Sequence, residues 1–228
     1  TRRKFISKST ASAAAVGMTA ASYARVAGAN DRIHLGLIGC GGRGVGTHLP
    51  KVAEFAKKHN VVFTAVADPW RQHREEAVAL AKDLYGVAPK GFVSYRDLLQ
   101  VKDLDAVMIA SCDHQHTTHL KAVADAKKDV YVEKPIAMDM DKLKAACDAC
   151  VQNNIVAQMG TQLRSEPTVR GVRKVFQTGI LGTVSRIEQH RNRTQPYWYS
   201  RIADVDKRDV AWDEFLDDLP KEPFNPLR

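Results

Sequence analysis

The sequence predicts an α/β fold, a parallel sheet covered by helices on both faces, followed by the start of an α+β domain with a large open sheet. Three observations carry this. Short apolar, β-branched runs recur at Ile33–Ile38, Val61–Ala67, 106–110, 130–133 and 155–159. Stretches with apolar residues at helical spacing separate them. The runs are nearly continuous rather than alternating, as in strands buried on both faces. At 228 residues the chain is long for one domain and short for two, so one full domain and part of another are expected. The divisions read as a leader over 1–29, a first domain over 30–158 and the beginning of a second over 159–228.

The leader opens with Arg2-Arg3-Lys4, continues through a mild Ala-rich stretch over 11–24, and ends in Ala27-Gly28-Ala29. A basic start, a small-residue stretch and an A-x-A-like site form an export signal of the twin-arginine type. The expected partner is therefore the twin-arginine export machinery, and the expected location is periplasmic or otherwise extracytoplasmic. The leader also supplies five of the eight net positive charges and leaves +3 on the rest. The basic balance is then a poor argument for nucleic acid, and no basic stripe is interleaved with aromatics. No run of 18 uninterrupted apolar residues occurs, so no stable membrane span is expected.

The first strand runs directly into Gly39-x-Gly41-x-x-Gly44. In such a turn the first glycine allows the tight bend, the second lets the backbone approach a pyrophosphate, and the third lets the following helix pack against the strand. The helix N-terminus offers free N–H groups to the phosphates. The second strand ends in Asp68, 24 residues after Gly44, where this motif places an acid for the ribose hydroxyls. The reading is a Rossmann-type dinucleotide-binding domain. Asp68 favours NAD, because a carboxylate repels a 2′-phosphate. Arg71 and Arg74 follow closely and leave NADP possible. Export of folded protein away from any free nucleotide pool predicts a tightly held cofactor, loaded beforehand and recycled in place.

The remaining elements follow in order. Helices are expected over 45–58, Arg71–Tyr85, 95–100, 116–126 and 140–153, the last capped by Asp139 or Asp141, with a short strand at Phe92-Val93. Gly39, Asp68, Ser111 and Glu133 each follow a strand end and should share one edge of the sheet. After Gly160 the character changes. A helix is expected over 168–177, and 184–193 alternates apolar and polar like one strand of a different sheet. The chain then turns aromatic and proline-rich, with a short helix at Trp212–Leu216. Cys147-x-x-Cys150 lies on one helical face; a single such pair is weak for zinc, and packing accounts for it, with a disulfide left open. Cys40 is a small residue within the glycine loop.

Glu133-Lys134-Pro135 ends the strand over 130–133. A lysine there is placed to hydrogen-bond a substrate hydroxyl as hydride leaves, although such a tripeptide also makes a surface turn with an ion pair. His114, His116 and His119 invite a metal-hydrolase reading. No downstream carboxylate–histidine set completes a site, and no metal is expected.

Taken together, these motifs resemble the Gfo/Idh/MocA family, the glucose–fructose oxidoreductase and inositol dehydrogenase group. The likeness covers roughly 32–193. It rests on Leu35 to Gly44, on Ser111-Cys112-Asp113-His114-Gln115-His116, on Glu133-Lys134-Pro135 and on Gly160-Thr161-Gln162-Leu163-Arg164-Ser165. The resemblance implies a nucleotide-binding α/β domain followed by a domain built on a large open sheet. It implies that Lys134 is the catalytic lysine and that Glu133 and Pro135 shape the nicotinamide site. Gly39, Gly41, Gly42, Arg43, Gly44, Asp68, Ser111, Asp113, His116, Lys134 and Gln162 are then cofactor-binding. Arg164, Arg193 and Trp198 are candidates for holding a sugar or polyol, and a homo-oligomer is implied. Cys112 stands where the family often has proline. The tail from Trp212 to Leu216, leading into Pro223-Phe224-Asn225-Pro226, looks like exported members that act on sugars. Family enzymes place a catalytic histidine in the second domain, and this chain has none after His190. The expectation is therefore a C-terminally truncated relative, with a non-catalytic dinucleotide-binding protein as the alternative reading.

Overall fold

The computed structural model describes residues 32–190 and 205–226. Six parallel strands form one sheet in the order β3-β2-β1-β4-β5-β6: β1 (Ile33–Ile38), β2 (Val61–Ala67), β3 (Lys90–Phe92), β4 (Ala106–Ile109), β5 (Asp129–Glu133) and β6 (Ala157–Gly160). The order reverses between β1 and β4, and in doubly wound sheets the crevice at that point takes the ligand. Residue 158, the expected end of the first domain, falls inside β6, so this strand completes the first sheet.

Helices cover both faces. On one side lie α1 (Leu49–His59), which a wide turn at Gly44–His48 precedes, and α2 (Arg71–Tyr85). They enclose Leu37, Phe63, Val66, Leu49, Ala77 and Ala81. On the other side α3 (Tyr95–Leu98), α4 (His116–Asp125) and α5 (Met140–Gln152) enclose Ile38, Ala67, Leu98, Val107, Ile109, Leu120, Val123 and Val132. Apolar side chains on both faces of β1 and β2 explain why those strands read as unbroken apolar runs. Local signals set the ends. Gly86 closes α2 in the left-handed conformation at φ 74°, and the Asp139 side chain accepts from Lys142 N–H at 3.0 Å to cap α5.

Past β6 the chain forms α6 (Pro167–Gln177), whose Val172, Val175 and Phe176 remain more than half exposed. Two expectations change here. The alternation over 184–193 predicts a strand; 184–190 form none and 191–193 lie outside the described residues, and a strand with no neighbour among the described residues would leave its N–H and C=O groups unpaired. No second sheet is formed among the described residues. Instead of continuing away from the first domain, 205–226 returns to it as a strap, containing the turn Lys207–Asp209 and α7 (Trp212–Leu216).

The strap docks by backbone and side chain. Trp70 and Val210 form an antiparallel bridge, and Ala211 N–H donates to the Pro69 carbonyl at 3.0 Å. Arg71 pairs with Asp209 at 2.7 Å and Arg96 with Asp217 at 2.7 Å. Leu216 is wholly buried.

Candidate functional site: a dinucleotide cleft

The carboxyl ends of β1, β2 and β4 converge on a cavity of about 470 Å³, within the range of small-molecule and cofactor pockets. Gly39, Gly41, Gly42, Arg43, Asp68 and Ser111 line it from the sheet side. The glycines divide by physical role. Gly39 sits at φ 90°, and a Cβ there would fall on the Ser111 backbone nitrogen. A Cβ at Gly44 would fall on the Gly39 carbonyl oxygen. Both are required by the protein's own packing. A Cβ at Gly41 would meet only the His73 ring, at 3.6 Å. The fold leaves that space open, as a pyrophosphate lying on the backbone requires.

Asp68 is buried and holds the loop. Its Oδ2 accepts from Cys40 N–H at 2.7 Å and its Oδ1 from Trp70 N–H at 2.8 Å. Each oxygen retains acceptor capacity for a ribose hydroxyl. The first bond of the turn after the loop runs from Val45 N–H to the Gly41 carbonyl at 2.9 Å, so the amides of 41–44 precede it at the positive end of the following helix. Burial pushes the Cys40 thiol well above its ordinary pKa, helped by Asp68, which makes it a packing residue.

At the end of β5, Glu133 is 3% exposed. Arg43 Nε donates to its Oε1 at 2.7 Å, His48 Nε2 lies 3.2 Å from the same oxygen, and Lys134 N–H donates to Oε2 at 3.3 Å. Burial lowers the His48 pKa below its ordinary value, opposed by Glu133. Arg43 thus links the glycine loop to β5. The Gln162 amide lies against Arg43 and the Gly160 carbonyl. Lys134 is exposed, directly after Glu133, and its bond to Pro135 is cis. A second hollow, about 450 Å³, opens beside Tyr131, Gln162 and Arg164.

The other expected residues sit as follows. His116, 1% exposed, does not line the cavity; its ring nitrogens lie 2.6 Å from the Pro135 carbonyl and 3.0 Å from the Ser111 carbonyl. It joins the two loops that flank the cleft. Asp113 is exposed in the turn Asp113–Gln115. Arg193 and Trp198 lie outside the described residues. Each of the three clustered histidines has its own contact: His114 with the Phe215 carbonyl at 3.0 Å, His119 with Ser111 Oγ at 3.0 Å, His116 as above. Among the described residues no group of three or more metal-ligating side chains converges, and no helix is long and apolar enough to cross a membrane. The four cysteines are free.

Sequence reasoning missed the cavity's outer wall. Trp212, Phe215 and Phe224 of the strap line the same cavity as the glycine loop. It also missed His119 and Asp217 as partners. Their side chains are buried, with Nε2 and Oδ2 3.6 Å apart.

Fold order, glycine loop and strand-end acid together define a dinucleotide-binding Rossmann domain. Residues 33–161 match the family model Oxidoreductase family, NAD-binding Rossmann fold (GFO_IDH_MocA), and the chain belongs to that family. It is 27% identical to inositol 2-dehydrogenase of Klebsiella pneumoniae over 164 residues, 71% of this chain and 47% of that protein. Its fold is similar to scyllo-inositol dehydrogenase from Lactobacillus casei with bound NAD(H) and scyllo-inositol, at TM-score 0.58 and 25% identity over 68% of this chain and 43% of that one. It is also similar to the WlbA dehydrogenase from Bordetella pertussis in complex with NADH and UDP-GlcNAcA, at TM-score 0.56 and 26% identity over 66% and 41% of the two chains. The chain spans less than half the length of these relatives.

Proposed function

We propose that the protein is an NAD(P)-dependent oxidoreductase, with NAD preferred, that moves a hydride between the nicotinamide and a hydroxyl-bearing carbon of a sugar or polyol. The observation that carries this reading is the convergence of loop 39–44, Asp68 and Ser111 on one cavity, with the Glu133-Lys134 turn at the neighbouring strand end. Kinship with an inositol dehydrogenase and with a structure holding scyllo-inositol supports a polyol. Residues 39–44 and Asp68 would hold the dinucleotide. When bound, it supplies the hydride acceptor. The Lys134 ammonium donates a hydrogen bond to the reacting hydroxyl oxygen and stabilises alkoxide character there, while the hydroxyl proton passes to a base outside the described residues. Arg43 and His48 fix Glu133, and through it the turn that carries Lys134. Arg164 stands beside the second hollow as a candidate for holding substrate hydroxyls.

The basic start Arg2-Arg3 and the site Ala27-Gly28-Ala29 support export by the twin-arginine route, and assembly as a homo-oligomer belongs to the same reading. A leader fused to a reporter, blocked by Arg2→Lys with Arg3→Lys, tests the first; sedentary reporter in both forms overturns it.

The test of function denatures the purified chain, measures released NAD and NADP by mass, and follows nicotinamide absorbance with a panel of polyols and sugars. Lys134→Met should keep the nucleotide and lose about 10²- to 10³-fold in turnover, the scale of one lost donor to a developing oxyanion. Nucleotide binding with no turnover on any substrate would favour a non-catalytic binding protein. Failure to bind either nucleotide would end both readings.

A further inference from the structure

The strap does more than return to the domain. It comes from more than 100 residues beyond the glycine loop, yet it builds one wall of the same cavity. Trp212 stacks on Phe215 with ring centres 4.9 Å apart and planes 14° apart. Phe224 meets Trp212 edge-on at 5.1 Å. The Trp212 indole N–H donates to the Glu222 carbonyl at 2.6 Å, which fixes the ring. The strap's backbone is bonded to Pro69 and Trp70, directly after Asp68, and Phe215 packs on His114 after β4, so this apolar wall spans the ends of β2 and β4. An acid that takes ribose hydroxyls at the end of β2 marks that side as the adenosine half of a dinucleotide site. Lys134 marks the other half, at β5.

The strap also decides what Arg71 can do. An arginine three residues after the ribose acid is placed to receive a 2′-phosphate. Here its Nε and Nη2 both donate to Asp209, at 3.1 and 2.7 Å. Arg74 is committed too, donating to the Asp68 carbonyl at 2.6 Å. Arg71 is thereby turned to the strap, and Arg74 spends one N–H on the backbone beside the ribose acid.

We propose that Trp212, Phe215 and Phe224 are the outer wall of an adenosine site whose inner wall is the glycine loop and Asp68, and that Asp209, by holding Arg71, sets that site for a 2′-hydroxyl. The proposal rests on the dinucleotide reading above. Aromatic faces give a purine a stacking surface. The strap is pinned by the Arg71–Asp209 and Arg96–Asp217 pairs and by the bonds from Gln115 Nε2 to the carbonyls of Glu214 and Phe215, so a nucleotide stacked on it exchanges more slowly than one held by the inner wall alone.

Amide hydrogen exchange on the whole chain tests this with three probes: NAD, ADP-ribose and nicotinamide mononucleotide. NAD and ADP-ribose should protect both 39–46 and 205–226, and nicotinamide mononucleotide should leave 205–226 unprotected. Protection of 39–46 alone by ADP-ribose overturns the strap's role and leaves the dinucleotide reading standing. No protection anywhere by NAD overturns both. In a chase of labelled NAD, Trp212→Ala with Phe224→Ala should release nucleotide about tenfold faster, the scale of one lost base stack; an unchanged rate counts against the wall. Should that double variant not fold, the exchange measurement on the natural chain decides. Asp209→Ala, which takes both acceptor bonds away from Arg71, should raise the NADP-to-NAD affinity ratio about tenfold. An unchanged ratio overturns the assignment of Asp209.

Discussion

Asp68 shows how one side chain serves both the fold and the site. It accepts from two backbone amides, at Cys40 and Trp70, that belong to different strand ends. Removing it leaves the buried Cys40 N–H with no acceptor. Hydrogen bonds to a charged group are worth about 1.5–3 kcal/mol each. Asp68→Ala is therefore expected to lower unfolding stability by about 2–3 kcal/mol in denaturant titration and to abolish measurable NAD binding. Asp68→Asn keeps one acceptor oxygen but turns its NH2 towards the other amide N–H, so it should recover only part of the stability while still binding NAD weakly. Equal NAD affinity in Asp68→Ala and the natural chain would remove the aspartate from the ribose site. Much of this was legible from residue order alone, since strand, glycine turn and strand-end acid lie in consecutive segments. Asp217 was not legible. Its partners Arg96 and His119 are about 100 residues away, and in the sequence it is one more charge in an acidic stretch. Its φ of 53° with ψ of −110° is unfavourable for a non-glycine residue, and Arg96 holds its buried carboxylate there.

The element that joins β1 to α1 invites a sharper test, because its glycines answer to different demands. Gly39→Ala puts a Cβ onto the Ser111 backbone at a φ that L residues avoid. It should destabilise the whole domain. In Gly41→Val the added Cβ meets only the His73 ring. This variant should leave the melting temperature within about 2 °C of the natural chain, since 1 kcal/mol moves a chain of this size by roughly 2–4 °C, and should still lose nucleotide. Calorimetry beside a nucleotide-binding titration separates the two. If Gly41→Val binds NAD as well as the natural chain, the phosphates do not lie on this loop. The helices and the buried strands of the sheet were readable because their signals are local: Gly86 stops α2, Asp139 caps α5 and β-branched runs mark β1 and β2. The stretch over 184–190 forms no strand because alternation records which faces a strand could offer, and no neighbour stands beside it among the described residues. The strap hid for a related reason. Trp212, Phe215 and Phe224 give no period of their own, and their meaning comes from the loop they cover.

For the molecule as a whole, the link between strap and sheet carries a pH dependence. His119 lies 2% exposed between Ser111 on the β4 loop and Asp217 on the strap, with its ring against Tyr95 at 4.1 Å. Burial, aided by the neighbouring His116 and Arg96, takes its pKa from 6.5 down to about 3. The folded chain therefore keeps this ring neutral across a window in which the unfolded chain protonates it. Between pH 6.5 and 3 the unfolded state binds more protons, so stability rises with pH and is lost on acidification. The loss is at most about 1.4 kcal/mol per pH unit, or roughly 3–6 °C in melting temperature. His119→Gln has no proton to take up and can still meet Ser111. Its melting temperature should vary less with pH between about 6.5 and 4.5, above the range where carboxylates add their own acid sensitivity. Parallel slopes for the two proteins would mean that His119 is not held neutral by burial beneath the strap. Because the ring is dry only while 205–226 is docked, a nucleotide that holds the strap down keeps protons off the native state and should steepen the same slope in the natural chain. ADP-ribose should do so as well as NAD, and nicotinamide mononucleotide should not. Melting curves across this window with each ligand join the stability of the fold to the occupancy of the cleft, and an acid slope indifferent to ADP-ribose would break that connection.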